Sequence, residues 1–209
     1  MDTSDTSAPL LGEPLPVELM NTIWADRDGV HDALIDAVGT RAWLRAVAPR
    51  TELLTPVEVA ALPPSALEQL GGRLTDLRDA LRRLAAEATE DARTTAGTGP
   101  AELQEAVARL NRAASDTPHW SALSWTPGQE PSQHLRAGGE GAAAAVSALA
   151  DEAVALFGQD TRHQLRACPG PGCVLYFMKN HPRREWCSAG CGNRARSARH
   201  YQRHRRTTV

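Results

Sequence analysis

Apolar residues recur at three- and four-residue steps through most of the first 160 residues, which is the spacing of one face of an α-helix. The strongest pattern is a leucine series over residues 65–93, which predicts the longest helix, with Gly71 and Gly72 as the place where it kinks or divides. Shorter patterns predict the other helices. One starts at Thr55-Pro56, and the others cover residues 15–24, 32–38, 40–48 (with Thr40 as N-cap), 102–114 and 142–157.

Two segments have the pattern of β-strands instead. Residues 120–125 alternate between apolar and polar side chains, and residues 132–136 follow a turn, which together predict a hairpin. Near the C-terminus, residues 174–177 predict a short strand, with Glu185 and Trp186 in its returning partner. The predicted fold class is mostly α with a small β-hairpin (α+β), and the scarcity of aromatic residues also favours helices.

Charge divides the chain into two parts. Residues 161–209 carry a net charge of +10, with Glu185 as their only acid, whereas residues 1–160 carry −12. An acidic body with a basic end is typical of a protein that faces a polyanion. We therefore predict a disordered polar tail over residues 1–11, a helical domain over 12–160 and a C-terminal module over 161–209.

The four cysteines lie together in the last quarter of the chain, in the two pairs Cys168-x4-Cys173 and Cys187-x3-Cys191. Two close pairs joined by thirteen residues can surround one tetrahedral zinc ion. Four cysteine ligands leave no coordination position for water, so the predicted Zn²⁺ is single and structural. Two disulfides are the alternative, as is a histidine ligand, His181 or His200, in place of one cysteine.

The module is predicted to end in a basic helix. A Pro/Gly-rich loop, a hairpin and a helix with the second cysteine pair form a treble-clef-like or zinc-ribbon-like arrangement. On the helix, Ala198 and Tyr201 are expected to pack back on the hairpin. The side chains predicted to contact nucleic acid are Arg183, Arg184, Asn193, Arg194, Arg196, Arg199, His200, Arg203 and Arg206. A solvated helix, or a docking surface for an acidic partner, is the alternative.

The cysteine pattern together with Arg183-Arg184-x-Trp186-Cys187-Ser188-x2-Cys191-Gly192-Asn193-Arg194 resembles the CGNR zinc-finger family. The stretch Gly12-Glu13-Pro14-Leu15-x3-Leu19-x-Asn21-Thr22 resembles the ABATE domain that precedes this finger. The family is bacterial and is described as stress-induced transcription regulators. The resemblance implies a mostly helical N-terminal domain with a small hairpin, zinc bound by the four cysteines, and a finger that binds DNA, although some members are labelled RNA-binding.

The sequence is consistent with three functions. The first is a transcription regulator whose finger binds DNA through the Arg-rich helix, while the N-terminal domain senses a signal, forms a homodimer or contacts the transcription machinery. The second is an RNA-binding protein, and the third is an adaptor whose finger docks an acidic protein. An enzyme is not expected, because the sequence has no open metal site, phosphate loop or nucleophile motif.

Two further expectations concern location and ligands. No apolar run approaches the roughly 18 residues that span a bilayer, and the acidic N-terminus is unlike a secretory signal. We therefore expect a cytoplasmic, nucleoid-associated protein without membrane contact. The polar residues of the ABATE-like stretch, Glu13, Asn21 and Thr22, either line an effector pocket or hold together the junction between a helix and a hairpin.

Overall fold

The computed structural model describes residues 8–93 and 99–207, and side chains as far as residue 201 in the last helix. The helices are α1 (Leu15–Met20), α2 (Ala37–Val47), α3 (Pro56–Ala61), α4 (Pro64–Thr89), α5 (Leu103–Ser115), α6 (Gly141–Gly158) and α7 (Ala189–Thr207). The strands form three antiparallel pairs: β1 (Ile23–Ala25) with β2 (Val30–Asp32), β3 (His119–Ser124) with β4 (Ser132–Ala137), and β5 (Leu165–Ala167) with β6 (Tyr176–Met178). The predicted α+β fold class is confirmed.

Helix α4 is the centre of the fold and packs against α1, α2, α5 and α6. Its predicted leucine stripe is buried, with Leu67, Leu74, Leu77 and Leu81 at most 1% exposed. The helix is continuous through Gly71 and Gly72, so it is not divided at the glycine pair. Gly71 instead allows a close approach, because a Cβ at this position would lie 2.8 Å from the Thr40 Oγ1 of α2.

The first forty residues fold differently from the prediction. The first helix ends at Met20 rather than near residue 24, and the chain continues into the β1–β2 hairpin over residues 23–32. Residues 33–36 form a turn where a second helix over 32–38 was expected, and α2 begins only at Ala37. The Asp32 carboxylate accepts the Leu34 N–H, which favours a turn over a helix start. Asp36, not Thr40, is the N-cap of α2, because its side chain accepts the Gly39 N–H.

The tail predicted over residues 1–11 is only partly described. Residues 1–7 lie outside the described part of the chain, so their predicted disorder stays a prediction. Ala8 packs against the main core, Leu11 packs against the residues around the cysteines, and the Leu11 N–H donates to Glu18.

The β3–β4 hairpin and α6 agree with the sequence patterns. Trp120 pairs with Arg136 and Ser124 with Ser132, which matches the predicted hairpin. Helix α6 is long and apolar enough to cross a membrane by length and composition alone. Its buried face, which includes Ala150 and Ala153, packs into the main core, as expected for a core helix.

The C-terminal hairpin uses an unexpected partner strand. β6 pairs with β5, which precedes the first cysteine, whereas Glu185 and Trp186 lie in no strand, so the prediction for them is wrong. The side chains of Leu165, Tyr176 and Met178 belong to the main hydrophobic core. The hairpin of the cysteine module is therefore part of the main core, while the cysteines, Leu175 and Phe177 form a second, smaller cluster.

The adjacent glycines of α4 provide a test of this packing. We expect Gly72→Ala to raise the free energy of unfolding by about 0.5–1 kcal/mol, because nothing lies within 4 Å of the new Cβ and alanine favours the helix. Gly71→Ala should lower it, because the new methyl group displaces the buried Thr40 side chain. Urea denaturation measures both changes, and equal stabilisation by the two substitutions would contradict the proposed contact.

Candidate zinc centre and basic surface

The four cysteine sulfurs converge on one point. All four Sγ atoms lie within 4.8 Å of one another and all four residues are buried. The Sγ atoms of Cys173 and Cys187 are 3.8 Å apart, and those of Cys187 and Cys191 are 3.3 Å apart. Zinc–sulfur bonds of about 2.3 Å in a tetrahedron place sulfurs about 3.8 Å apart, so the cluster has the size of a zinc site.

The local sequence explains how two loops bring the sulfurs together. Gly170 lies against the second pair, since a Cβ there would be 3.1 Å from Cys191 Cβ and 3.3 Å from its Sγ. Gly172 has a φ of +70°, which allows the tight turn into Cys173. Cys191 lies in the first turn of α7, where the positive end of the helix dipole stabilises a thiolate.

The sulfurs are close enough to share protons. Hydrogen bonds from Cys173 and Cys187 lower the pKa of Cys168 to about 2. The same contact with Cys168 raises the pKa of Cys173 to about 12 and also raises that of Cys187. A dication bound to all four sulfurs takes the place of these protons, so the donor set suits Zn²⁺ and metal binding should weaken as pH falls. The predicted structural zinc is confirmed.

Each residue of the Cys191-Gly192-Asn193-Arg194 segment has a distinct position. Cys191 is a ligand, and Gly192 lets the helix approach Trp186, because a Cβ there would lie 3.1 Å from the indole Cδ1. Arg194 donates to Cys191 Sγ over 3.0 Å, which stabilises the thiolate. Asn193 lies on the surface and accepts a hydrogen bond from Arg196.

A group of buried hydrogen bonds, here called the α1–β6 junction, joins the finger to the helical domain. Asn21 donates to the Tyr176 carbonyl and accepts the Tyr176 N–H, both over 2.9 Å. Glu13 accepts the Met178 N–H over 3.0 Å and forms an ion pair with Arg184. Glu13 and Asn21 are at most 2% exposed, so both side chains serve the junction rather than an open pocket.

Thr22, the third polar residue of the ABATE-like stretch, is also buried. Its hydroxyl donates to the Leu19 carbonyl over 2.8 Å, and Arg78 donates to the hydroxyl over 3.4 Å. Thr22 therefore satisfies a carbonyl in the last turn of α1 and links this turn to α4. Of the two readings left open for Glu13, Asn21 and Thr22, these contacts favour the junction.

Helix α4 and the residues after it contribute two arginines that the sequence pattern did not single out. Arg82 is fully buried and donates to the carbonyls of Met20 and Val174. Arg93 donates to the carbonyls of Cys168 and Cys173. These bonds satisfy backbone carbonyls of the cysteine loop. No signal in the sequence separates these arginines from the partly exposed Arg73 and Arg83 of α4.

Tyr176 is the meeting point of these groups. The guanidinium carbons of Arg82 and Arg93 lie 5.3 and 5.4 Å from its ring centroid, within cation–π distance. Its hydroxyl donates to Asp91 over 2.8 Å. Burial raises the pKa of Tyr176 to about 12, so the phenol stays neutral and donates. Although burial opposes it, hydrogen bonds from Arg93 and Tyr176 leave the pKa of Asp91 below its ordinary value.

The predicted nucleic-acid contacts separate into two groups. Arg183, Asn193, Arg196, Arg199 and His200 are exposed. Arg184 is only partly exposed, pairs with Glu13 and donates to the carbonyls of Met178 and Cys187, and Arg194 is exposed but directed at a ligand sulfur. The side chains of Arg203 and Arg206 lie outside the described part of the chain. Contact with nucleic acid stays a prediction for every member of the set.

The face of α7 that packs on the module differs from the prediction. Tyr201 is 71% exposed, so its expected place against the hairpin is wrong. Ala195 is buried instead, one turn after Cys191, and the guanidinium carbon of Arg199 lies 5.9 Å from the Trp186 ring centroid. The helix is therefore held near its N-terminus and projects beyond the module.

A helical domain whose core includes the hairpin of a four-cysteine zinc finger, followed by a basic helix, defines the class of protein. The family described as "CGNR zinc finger" matches residues 164–204. The family described as "Putative stress-induced transcription regulator" (ABATE) matches residues 13–160. The chain belongs to the ABATE family and carries a CGNR zinc finger, as the resemblance predicted. No individually curated protein matches the chain.

The zinc ligands can be tested directly. We expect wild-type protein to contain one zinc per chain and Cys187→Ser to lose it, because three thiolates and a hydroxyl bind zinc more weakly. Loss of zinc should unfold the module, visible as a lower melting temperature. His181→Ala and His200→Ala are the matched controls for the alternative histidine ligand and should retain full zinc by atomic emission. Full zinc in Cys187→Ser would contradict the assigned ligand set.

The α1–β6 junction provides a second test. We expect Glu13→Gln to lower the free energy of unfolding by about 3 kcal/mol, because it removes the buried charge that pairs with Arg184 and leaves donors facing each other. Glu87→Gln is the control, since this carboxylate is 57% exposed and forms only an i,i+4 pair with Arg83. Urea denaturation of zinc-loaded protein measures both. Equal small effects would show that the Glu13 contacts do not stabilise the fold.

Proposed function

We propose that the protein is a transcription regulator whose zinc finger holds α7 against duplex DNA. The observation that carries the proposal is the set of exposed basic side chains on and beside α7. Among the described side chains, Arg194, Arg196 and Arg199 of α7 form no ion pair with a carboxylate. A positively charged face without acidic partners supports binding to phosphates.

The way α7 is held supports a rigid docking element. Its first turn is tied to the zinc ligands, and Gly192 and Ala195 pack against the module. Beyond Ala195, its described side chains are exposed except the half-buried Ala198, which suits a helix in the major groove. Arg196, Arg199 and His200 would supply phosphate or base contacts. Asn193 and Arg183 would extend the contact at the start of the helix and in the loop between β6 and α7.

The helical domain supports a regulatory role within this proposal. Through the α1–β6 junction it fixes the orientation of the finger, so a change in this domain reaches α7 through packed groups rather than a linker. Homodimerisation through this domain would present two basic helices to two half-sites, and contacts with the transcription machinery would also use it. The proposal assigns no enzymatic reaction, and a DNA-binding role places the protein in the cytoplasm at the nucleoid.

RNA is the second candidate ligand, and one observation favours it. Tyr201 is exposed on α7 beside His200, whose ring centroid lies 6.2 Å from that of Tyr201. Exposed aromatic rings stack on unpaired bases, which duplex DNA does not offer. An acidic protein partner would use the same basic face and is distinguished by the absence of any nucleic-acid binding.

The proposal is tested by fluorescence anisotropy with zinc-loaded full-length protein, mixed-sequence duplex DNA and single-stranded RNA over a salt series. We expect duplex binding that weakens steeply with salt. Arg196→Ala/Arg199→Ala should reduce the slope of log K against log salt by about 1.8, because each phosphate contact contributes about 0.9. Tyr201→Ala should leave duplex binding nearly unchanged.

The control removes the same charge elsewhere. Arg27→Ala/Arg136→Ala replaces two exposed arginines of the helical domain and should leave the salt slope unchanged. Equal losses in both double variants would mean that net charge alone drives binding. Stronger binding to RNA, lost in Tyr201→Ala, would replace DNA by RNA in the proposal, and no binding even at low salt would favour the acidic protein partner.

A further inference from the structure

A cleft of about 510 Å³ lies between the β1–β2 hairpin and α2, on the helical domain, and is here called the hairpin–α2 cleft. Four aliphatic side chains line it and remain exposed: Ile35 (81%), Val38 (77%), Val30 (55%) and Leu10 (41%). Concave sites of 300–1,000 Å³ with mostly apolar walls are typical of small-molecule binding sites. Grouped large apolar side chains around a concavity are also unusual on a surface without a partner.

Acidic groups predominate among the polar side chains of the cleft. Asp32 and Asp36 line it together with His31, whose Nε2 lies 2.8 Å from Asp26 Oδ1. No arginine or lysine is among the described residues that line it. Asp32 Oδ1 accepts hydrogen bonds from the Leu34 N–H and from Arg78, and Asp36 Oδ1 accepts one from the Gly39 N–H. Within the described part of the chain, neither Oδ2 has a hydrogen-bond partner. The cleft therefore offers two carboxylate oxygens beside an apolar wall.

Aromatic rings form another wall of the same cleft. Trp24 and Trp43 both line it, and the His31 ring is stacked on Trp24 with centroids 5.1 Å apart. Trp43 is only 4% exposed, so the half-buried Trp24 is the indole that a ligand can contact. Indole rings attract organic cations, and the attraction increases where water is excluded. Carboxylates, this indole and aliphatic side chains together complement a molecule that is apolar over most of its surface and carries one positive charge.

We propose that the hairpin–α2 cleft is an effector site for a small apolar organic cation, such as an arylalkylamine. The hydrocarbon part contacts Val30, Ile35 and Val38, and the ammonium group lies at the free carboxylate oxygens of Asp32 and Asp36. This site is separate from the zinc centre and the basic helix. The residues Glu13, Asn21 and Thr22, which were candidates for an effector pocket, contribute nothing to it.

Trp24 connects the cleft with the zinc finger. The same side chain that lines the cleft also packs against the hydrophobic residues around the cysteines, which include Leu175 and Phe177. A molecule bound in the cleft therefore touches a side chain that is part of the packing of the finger. Binding at this site does not depend on DNA, so its test is independent of the proposed function.

Three compounds with the same carbon skeleton test the charge preference: phenylbutylamine, phenylbutanol and phenylbutanoate. Isothermal titration calorimetry with zinc-loaded full-length protein should show the amine binding most tightly and the carboxylate most weakly. Asp36→Asn keeps an oxygen for the helix cap and should weaken the amine about threefold while leaving the alcohol unchanged. Equal affinity for all three compounds, or no binding of the amine, would overturn the proposal.

Lysine substitutions at two exposed valines test where the amine binds. Val38→Lys places a positive charge in the cleft and should weaken amine binding at least about tenfold. Val57→Lys is the matched control, because Val57 is 78% exposed on α3 and does not line the cleft. Equal effects of the two variants would overturn the assignment of the site. So would a change of oligomeric state in Val38→Lys by sedimentation velocity, because the cleft would then be an interface between copies.

Discussion

The hydrogen bonds of the α1–β6 junction are the interaction on which the rest of the structure depends. Asn21 satisfies both backbone groups of Tyr176, and Glu13 satisfies the N–H of Met178, so side chains from around α1 occupy the edge of β6 as a third strand would. These groups are buried, and an unpaired buried amide or carboxylate is costly. The finger therefore keeps its place only while α1 is formed, and α1 is held in turn by α4 and α6.

Oppositely charged groups from the two parts of the chain meet at this junction. The −12 and +10 parts of the sequence meet inside the protein, where Glu13 pairs with Arg184 and where Arg82 and Arg93 donate to backbone carbonyls. The zinc site gains hydrogen-bond donors from the helical domain in this way, while the arginines of α7 stay exposed. The arginines that stabilise the fold are thus different residues from the arginines that form the basic surface.

Sequence patterns predicted those parts of the fold whose cause is local. The leucine stripe of α4, the β3–β4 hairpin and the four zinc ligands follow from periodicity and spacing. The β1–β2 hairpin and β5 were not predicted from the sequence. Their three-residue strands show no clear alternation and are held by partners distant in sequence, such as Arg78 for Asp32. The burial of Arg82 could not be predicted, since nothing near it in the sequence identifies a carbonyl at Val174 as its partner.

The contribution of the hairpin to the main core also determines whether the finger can fold when it is moved to another protein. Many small zinc domains carry their own core and can be moved between proteins. Here the hairpin contributes Leu165, Tyr176 and Met178 to a core built mostly by helices. If cut free, the finger would expose an apolar surface and leave the backbone of β6 unpaired, which favours aggregation through the strand edge. Exchange of this finger between relatives is thus expected to succeed only where α1 and the start of the chain are exchanged with it.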